Sequence, residues 1–429
     1  MGDELRGENL VHLNVRFSTE TELKKIQDFL YEKSGQGVSF TGLVEAMVNE
    51  VTIVTAVHNI KSNKGSKTAG VDKIKMDKYL QMPKDELILL IQSCFRNYRP
   101  KPARREYIEK SNGKKRPLGI PTVLDRIIQE CVRIIIEPIC EARFYPQSYG
   151  FRPYRAQKHA IRGIINVINA GCKSPDQPVW AIEGDIKGCF DNINHRLLLQ
   201  KLWRIGIHDK RVLKIISQML KAGYMENDLF HATELGTPQG GILSPLLSNV
   251  YLNDFDWYVG RMYMEPHRQC KHKGNDTRRL KWAGVTPKYN YRYADDWVIL
   301  TSTEKEALRL KRVLTKYFRN RMKLELSQEK TYVTDLRTNG IHNHVIFNST
   351  VLDGTRKFRD FFFSALAVQR LSDLICLEHQ LSIIEKKPYR ERQKRVLYPP
   401  KESNRDRLCG IIDTILAEQP KDFEVFLQK

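Results

Sequence analysis

The chain has 429 residues, and 41% of them are hydrophobic, which is enough for packed cores and excludes wholesale disorder. Its 71 lysines and arginines exceed its 50 acidic residues, so the formal net charge is +21. A polyanion would neutralise that surplus, which makes nucleic acid the first partner to consider and an anionic membrane surface the second. No apolar stretch approaches the length of about 18 residues that a membrane-spanning helix requires. The eight scattered cysteines favour reduced, intracellular thiols over a disulfide framework.

Apolar spacing in the N-terminal part predicts helices followed by a basic hairpin. Residues 23–30 have the spacing of an amphipathic helix, with a plausible N-cap in residues 19–22. Residues 85–95 repeat the helical pattern. Residues 99–121 hold eight basic residues against two acidic ones, and a Ser-Asn-Gly turn signal lies among them. We therefore expect a basic β-hairpin there.

The remainder predicts interleaved strands and helices. Residues 122–141 have the apolar spacing of a buried helix, and residues 304–321 that of a basic helix. Residues 179–183 and 291–301 are typical of strands. Because no strand–helix–strand crossover repeats regularly, the pattern favours an α+β fold over a doubly wound sheet.

Carboxylates stand at the ends of two apolar strands. Asp295 and Asp296 precede the apolar residues 297–300, and Asp185 follows residues 179–182. Adjacent strand residues point to opposite faces, so a tight turn at the Asp pair would bring both near one metal. Three carboxylates from two strands are the ligands that two Mg²⁺ ions need for an in-line phosphoryl displacement. Each feature alone is also compatible with an acidic β-turn or a helix cap.

A glycine-rich block occupies residues 235–245, which read Leu-Gly-Thr-Pro-Gln-Gly-Gly-Ile-Leu-Ser-Pro. Gly240 and Gly241 would let the backbone approach a ligand closely. Gln239 adds a neutral hydrogen-bonding group that can contact minor-groove edges without demanding one base. We interpret the block as a surface on which a base pair stacks; the alternative is an ordinary Gly/Pro loop.

These motifs, in this order, resemble reverse transcriptases, and within them the group II intron-encoded proteins, which combine reverse transcriptase and RNA-splicing (maturase) activity. The Ser-Tyr-Gly-Phe-Arg-Pro stretch, the glycine-rich block and a long insert before the acidic pair are most similar to the intron class. The resemblance covers about residues 55–340. The matching stretches are 113–121, 147–153, 185–191, 236–249, 293–296 and 324–331.

The resemblance implies a right-hand polymerase with fingers, an antiparallel-sheet palm and a short helical, thumb-like C-terminus. Residues 1–54 would form an N-terminal extension, and residues 55–178 the fingers, including a loop that covers the template. Residues 179–340 would form the palm, with an insert at 258–290. Residues 341–429 would hold a thumb and maturase-like region that is short or incomplete relative to the family.

The resemblance also implies a catalytic centre. Asp185, Asp295 and Asp296 match the metal-binding triad, and the backbone carbonyl of Ile186 completes a site. The cofactor would be two Mg²⁺ ions, with Mn²⁺ as a substitute. Lys330 matches a basic residue near the leaving pyrophosphate, where it could donate a proton.

Five further residues match the substrate pocket of the family. Lys110 and Arg116 match finger residues that grip the triphosphate. Phe190 matches the aromatic residue under the incoming sugar, where its ring would exclude a ribose 2′-OH. Gln239 and Gly240 match the floor of the nucleotide pocket.

The resemblance implies four partners: an RNA template, intron RNA, a DNA primer and deoxynucleoside triphosphates (dNTPs). No membrane is expected to take part. The implied location is the bacterial cytoplasm, and the nucleoid when target DNA is bound. Residues 340–347 depart from the family's primer-gripping hairpin, although residues 359–384 have helical spacing and residues 386–395 are strongly basic. Two alternatives therefore stay open: a splicing cofactor that has lost polymerisation, and a retron-like defence reverse transcriptase. The oligomeric state is not indicated by the sequence.

Overall fold

The computed structural model describes residues 9–63, 65–109, 115–171, 178–227, 229–237, 240–264, 280 and 282–337. The expectations for residues 341–429, including the helix at 359–384, and for the Ser-Asn-Gly turn at 111–113 lie outside these residues. Within the described part, no helix is long and apolar enough to cross a membrane.

The N-terminal elements are mainly helical. In chain order they are β1 (Leu10–His12), α1 (Glu20–Gly35), β2 (Ser39–Thr41), α2 (Leu43–Met47), α3 (Glu50–Ser62), α4 (Met76–Leu80) and α5 (Lys84–Arg96). The predicted cap of α1 is confirmed: Thr19 accepts a hydrogen bond from the backbone N–H of Glu22, whose carboxylate accepts one from the backbone N–H of Thr19. This reciprocal pair satisfies backbone donors that the first helical turn leaves free.

Helices and strands are interleaved in the rest of the described chain, so the fold has the mixed helix and sheet content that the sequence predicts. The elements are β3 (Ala103–Glu109), β4 (Lys115–Ile120), α6 (Val123–Glu141), α7 (Gln157–Gly171), β5 (Trp180–Gly184), α8 (His195–Arg204), α9 (Lys210–Leu220), β6 (Tyr224–Glu226), β7 (Leu229–His231), α10 (Ser244–Tyr263), β8 (Tyr289–Tyr293), β9 (Asp296–Thr301), α11 (Glu304–Tyr317) and β10 (Tyr332–Asp335).

The predicted hairpin is one half of a larger sheet. Strands β3 and β4 pair antiparallel, from Arg104 opposite Ile120 to Glu109 opposite Lys115. Strand β6 then joins β3 in parallel and β7 joins β6, which gives the strand order β4-β3-β6-β7. The two added strands have three residues each, too few for apolar alternation to reveal them in the sequence.

A second sheet, the central sheet, is antiparallel throughout and has the order β10-β5-β9-β8. Helices α7, α10 and α11 pack against its strands. The helix predicted over 304–321 ends earlier, because α11 widens at Tyr317 into a π-helical turn over Phe318–Met322. That turn buries Phe318 beside Phe255, with the ring centroids 4.8 Å apart.

The core connects the central sheet to the N-terminal helices. Helix α6 is buried along most of its length, and α1 and α3 pack on it. Its apolar residues and those of α10, β5 and β9 belong to one contiguous cluster of buried side chains. The end of the central sheet where β5 stops and β9 begins is therefore supported from behind by packed side chains.

Candidate active site

The central sheet brings Asp185 and Asp296 to the same end of two neighbouring strands. In the antiparallel pairing of β5 with β9, Gly184 lies opposite Trp297, so the next residues outward, Asp185 and Asp296, follow at the same end of the two strands. A side chain at residue 184 would not fit, because a Cβ there would lie 2.1 Å from the Trp297 ring. Because Gly184 has no side chain, the Trp297 ring can pack against its backbone, and the two carboxylates follow at the same end of the strands.

The turn between β8 and β9 places the third carboxylate. Tyr293 pairs with Asp296, so Ala294 and Asp295 form the turn, one residue before the Asp pair at which the sequence predicts it. The strand predicted over 291–301 is therefore divided into β8 and β9. Ala294 has φ of 59°, in the left-handed region that residues other than glycine seldom adopt. Gly150 lies directly against this backbone, since a Cβ on it would be 2.1 Å from the Ala294 nitrogen. Such a conformation persists where its surroundings fix it, and functional sites are a common location.

The three carboxylates act on one another electrostatically. The pKa of Asp296 is raised to about 6, first because surrounding groups desolvate the carboxyl, although the residue is exposed at the surface, and then by the negative charges of Asp295 and Asp185. Lys330 contributes an opposing positive charge. Its Nζ is 3.1 Å from an Asp185 oxygen, and that hydrogen bond raises the pKa of the lysine. A concentration of negative charge at a strand end is therefore only partly compensated by an exposed lysine.

The donor chemistry of this edge fits a hard divalent cation. Among the residues that the structure describes, no group of three or more His, Cys, Asp or Glu side chains is arranged to hold a metal ion. Mg²⁺ does not need one, because it commonly takes one or two protein carboxylates and completes its shell with water and substrate phosphates. A bound cation would offset both the desolvation and the repulsion that raise the pKa of Asp296. Ile186 follows Asp185 and forms a β-bridge with Leu326, beside the carboxylates.

The glycine-rich block begins against the residues that follow Asp185. The Thr237 backbone N–H donates to the carbonyl of Phe190 at 2.7 Å, and the Gly236 N–H donates to the carbonyl of Ile193 at 2.8 Å. The Phe190 ring is half-buried and meets the exposed Phe151 ring edge-on, with centroids 6.2 Å apart. Two stretches that the sequence separates by some forty residues thus share one surface.

The same block reaches the hairpin sheet at its other end. Gly240 has φ of 112°, and a Cβ there would lie 2.7 Å from the Gly119 carbonyl oxygen of β4. Of the remaining predicted residues, Arg116 lies on β4 opposite Ile108. Lys110 and Gln239 lie outside the described residues, and so does the side chain of Arg116.

A buried ion pair behind the turn was not anticipated from the sequence. Arg292 and Asp256 are 1% and 0% exposed, and the guanidinium approaches the carboxylate through both Nε, at 2.9 Å, and Nη2, at 2.7 Å. Burial raises the pKa of Asp256, and the charge of Arg292 opposes that rise. The one signal in the sequence was an arginine among the three tyrosines of this strand, but nothing in the sequence identifies a partner 36 residues away.

Arg292 also contacts the turn and its neighbours. Its Nη1 donates to the Ala294 carbonyl at 2.6 Å and to the Asn249 side chain at 2.9 Å, and Nη2 donates to the Ser148 hydroxyl at 2.7 Å. Asn249 in turn donates to the Gly150 carbonyl at 2.8 Å. The matching stretch at 147–153 therefore packs beside the acidic turn.

Comparison with known proteins identifies the family. A family model described as "Reverse transcriptase (RNA-dependent DNA polymerase)" matches residues 108–342. Group II intron-encoded protein LtrA of Lactococcus lactis subsp. cremoris is 37% identical over 337 residues, covering 69% of this chain and 54% of LtrA. Protein YkfC of Escherichia coli (strain K12) is 37% identical over 292 residues, covering 63% of this chain and 74% of YkfC.

Among solved structures, an apo telomerase from Candida tropicalis matches 55% of this chain and 50% of its own, with a TM-score of 0.40 and 13% identity. The chain spans about half the length of LtrA. The family model nonetheless covers more than half of this chain and includes all three carboxylates. The chain belongs to the reverse transcriptases, and within them to the group II intron-encoded reverse transcriptase/maturase family.

Proposed function

We propose that this protein is an RNA-directed DNA polymerase of a group II intron, which extends a DNA primer on an RNA template with dNTPs and also binds intron RNA to assist splicing and mobility. The observation that carries the proposal is the convergence of Asp185, Asp295 and Asp296 at one end of β5 and β9, beside Lys330. A scaffold protein would not need this electrostatically costly cluster.

In this proposal the three carboxylates and the Ile186 carbonyl hold two Mg²⁺ ions, for which Mn²⁺ can substitute. When bound, the ions supply Lewis acidity to the primer 3′ oxygen and to the leaving pyrophosphate. The chain itself orients the reacting groups through the carboxylates. Lys330 would donate a proton to the pyrophosphate, and its contact with Asp185 supports this role.

The substrate pocket lies between the hairpin sheet and the residues after Asp185. Phe190 would lie under the sugar and exclude a 2′-OH, with Phe151 supporting its ring. Gly240 and Gln239 would form the floor, and the contact of Gly240 with β4 supports a pocket that includes the hairpin. Lys110 and Arg116 would bind the triphosphate.

The proposed domains follow from these roles. Residues 55–178 are the fingers and 179–340 the palm, preceded by an extension at 1–54 and followed by a thumb-like region at 341–429. The bacterial relatives favour a bacterial cytoplasm as the site of action, with the nucleoid when target DNA is bound.

Primer extension tests the proposal. The purified chain, an RNA template, a DNA primer, dNTPs and Mg²⁺ should give elongated DNA, and the Asp295→Asn variant should lose at least about a hundredfold in rate, because it removes charge where the transition state needs it. RNA binding by filter assay should survive, since the basic surface is unchanged.

Asp335→Asn is the matched control, because Asp335 lies on β10 opposite Trp180, at the far end of the same sheet. Near-parental extension by Asp295→Asn would refute the assignment of the carboxylates. If the parental chain bound RNA without extending any primer, the protein would instead fit the splicing cofactor that lacks polymerisation.

A further inference from the structure

The acidic turn has a conformation that its own sequence does not favour. Ala294 occupies the left-handed region with φ of 59°, and it immediately precedes Asp295. A strained residue keeps its backbone conformation only when neighbouring groups fix it. The contact with Gly150 limits how far the turn can move in one direction, but a steric contact alone does not hold it in place.

Arg292 supplies the attractive contact. Its Nη1 donates to the Ala294 carbonyl at 2.6 Å, and the rest of the guanidinium is held by Asp256, Asn249 and Ser148. A guanidinium has five N–H donors in a rigid fork. All five donors are used here. Nη1 makes two bonds, Nη2 makes one to Asp256 and one to Ser148, and Nε makes one to Asp256.

The fork joins three separate parts of the chain to the turn. Asp256 and Asn249 are on α10, Ser148 precedes Gly150, and Arg292 itself is the penultimate residue of β8. Backbone bonds reinforce the assembly, since the Arg292 N–H donates to the Gln147 carbonyl at 3.0 Å. The fully buried ion pair therefore links α10 to the backbone next to Asp295.

We propose that Arg292 is a positioning residue for catalysis: its fork, anchored on Asp256, fixes the Ala294 carbonyl and thereby holds Asp295 and Asp296 in the geometry that binds the divalent cations. This inference rests on the proposed function, because it assumes that these carboxylates are the metal ligands. Lysine cannot replace the arginine, since an ammonium offers three donors from one point rather than five in a fixed plane.

Arg292→Lys is the sharpest test, because it keeps the positive charge beside Asp256 and removes the fork. We expect the affinity for Mn²⁺, measured by electron paramagnetic resonance of the free ion, and kcat for primer extension each to fall by about 10–100-fold, as for other groups that orient metal ligands. RNA affinity and the KM for dNTP should stay near their parental values.

Arg133→Lys is the matched control. Arg133 also makes a multidentate contact, with Glu130 and Glu137, but all three residues are on α6. We expect it to leave kcat and Mn²⁺ affinity unchanged. Parental kcat and Mn²⁺ affinity in a folded Arg292→Lys variant would overturn the positioning role.

Asn249→Ala decides the question if Arg292→Lys does not fold. It keeps the ion pair with Asp256 and removes one of the acceptors that orient Nη1 toward Ala294, together with the bond that Asn249 donates to the Gly150 carbonyl; Asn249→Asp, which keeps the acceptor and loses that donor, separates the two effects. A folded Asn249→Ala variant with weaker Mn²⁺ binding and lower kcat supports the role, and one with parental values overturns it. Full activity in Asp295→Asn would refute the proposed function instead, while the Mn²⁺ affinities would still decide whether Arg292 orders the turn.

Discussion

At the scale of single residues, His195 makes the stability of the folded protein depend on pH, independently of the carboxylates. His195 is buried, and its Nε2 lies 2.7 Å from the Gly236 carbonyl at the start of the glycine-rich block. Burial lowers the pKa of the imidazole, and the positive charge of Lys221 lowers it further, against the opposing effect of the Gly236 bond. The native state therefore favours the neutral ring.

A lowered pKa means that the unfolded chain takes up a proton first as the pH falls. The stabilisation from neutral His195 is present above the ordinary histidine range and is lost as the pH falls through that range toward the lower folded pKa. We expect the fall in Tm between pH 7.5 and pH 5.5 to be smaller in His195→Gln than in the parental protein. An equal fall in both proteins would contradict this prediction.

Phe190 is the residue whose substitution should change the choice of sugar. Phe190→Ala opens space beside the 2′ carbon of the proposed incoming nucleotide, so incorporation of ribonucleotides relative to deoxynucleotides should rise by at least about tenfold, the discrimination that one small group in a pocket commonly provides. Competition assays with both nucleotides measure the ratio. Phe230→Ala is the control, because that ring is 57% exposed on β7. If the ratio does not move, Phe190 only packs against Phe151.

At the scale of elements, the close approach of β5 to Trp297 makes Gly184 sensitive to a single added methyl group. Gly184→Ala places a Cβ 2.1 Å from a buried ring, so we expect a loss of about 1–3 kcal/mol in the free energy of unfolding. Urea denaturation measures it, and polymerase activity should fall as Asp185 is displaced. Gly35→Ala, with no atom within 4 Å of the new Cβ, should change stability by less than about 1 kcal/mol. Equal effects at the two positions would contradict the packing argument.

The elements also show which parts of the fold the sequence predicts. Helices α1 and α6 were predictable because capping and apolar spacing are local properties, and the β8–β9 turn was predictable because two charges interrupt an apolar strand. The pairing of β6 with β3 and the contact of Gly240 with β4 were not, since both depend on residues that are distant in the sequence. The same holds for the ion pair of Arg292 with Asp256.

At the scale of the whole molecule, the net charge of +21 leads us to expect a strong salt dependence of the RNA binding proposed above. Each phosphate that a lysine or arginine neutralises releases counterions, so the affinity for RNA should fall steeply and linearly in a double-logarithmic plot against salt concentration. The chain carries basic residues both in the hairpin at 99–121 and in the run at 386–395. A polymerase has to hold its template and product beyond the catalytic centre as well as at it, which gives the second run a reason to contact nucleic acid.

A quadruple variant separates that role from a charged connector. Neutralising the four basic residues should leave single-nucleotide addition nearly intact, shorten the DNA products, and lower the salt slope of RNA binding by about one unit for each phosphate that the protein no longer neutralises. The substituted residues are Arg390, Arg392, Lys394 and Arg395. A control with the same change in net charge replaces four exposed lysines of α1, α4 and α5, namely Lys24, Lys25, Lys78 and Lys84. If both variants changed slope and product length equally, the effect would belong to total charge; if neither changed them, the basic run would be a connector without a part in RNA handling.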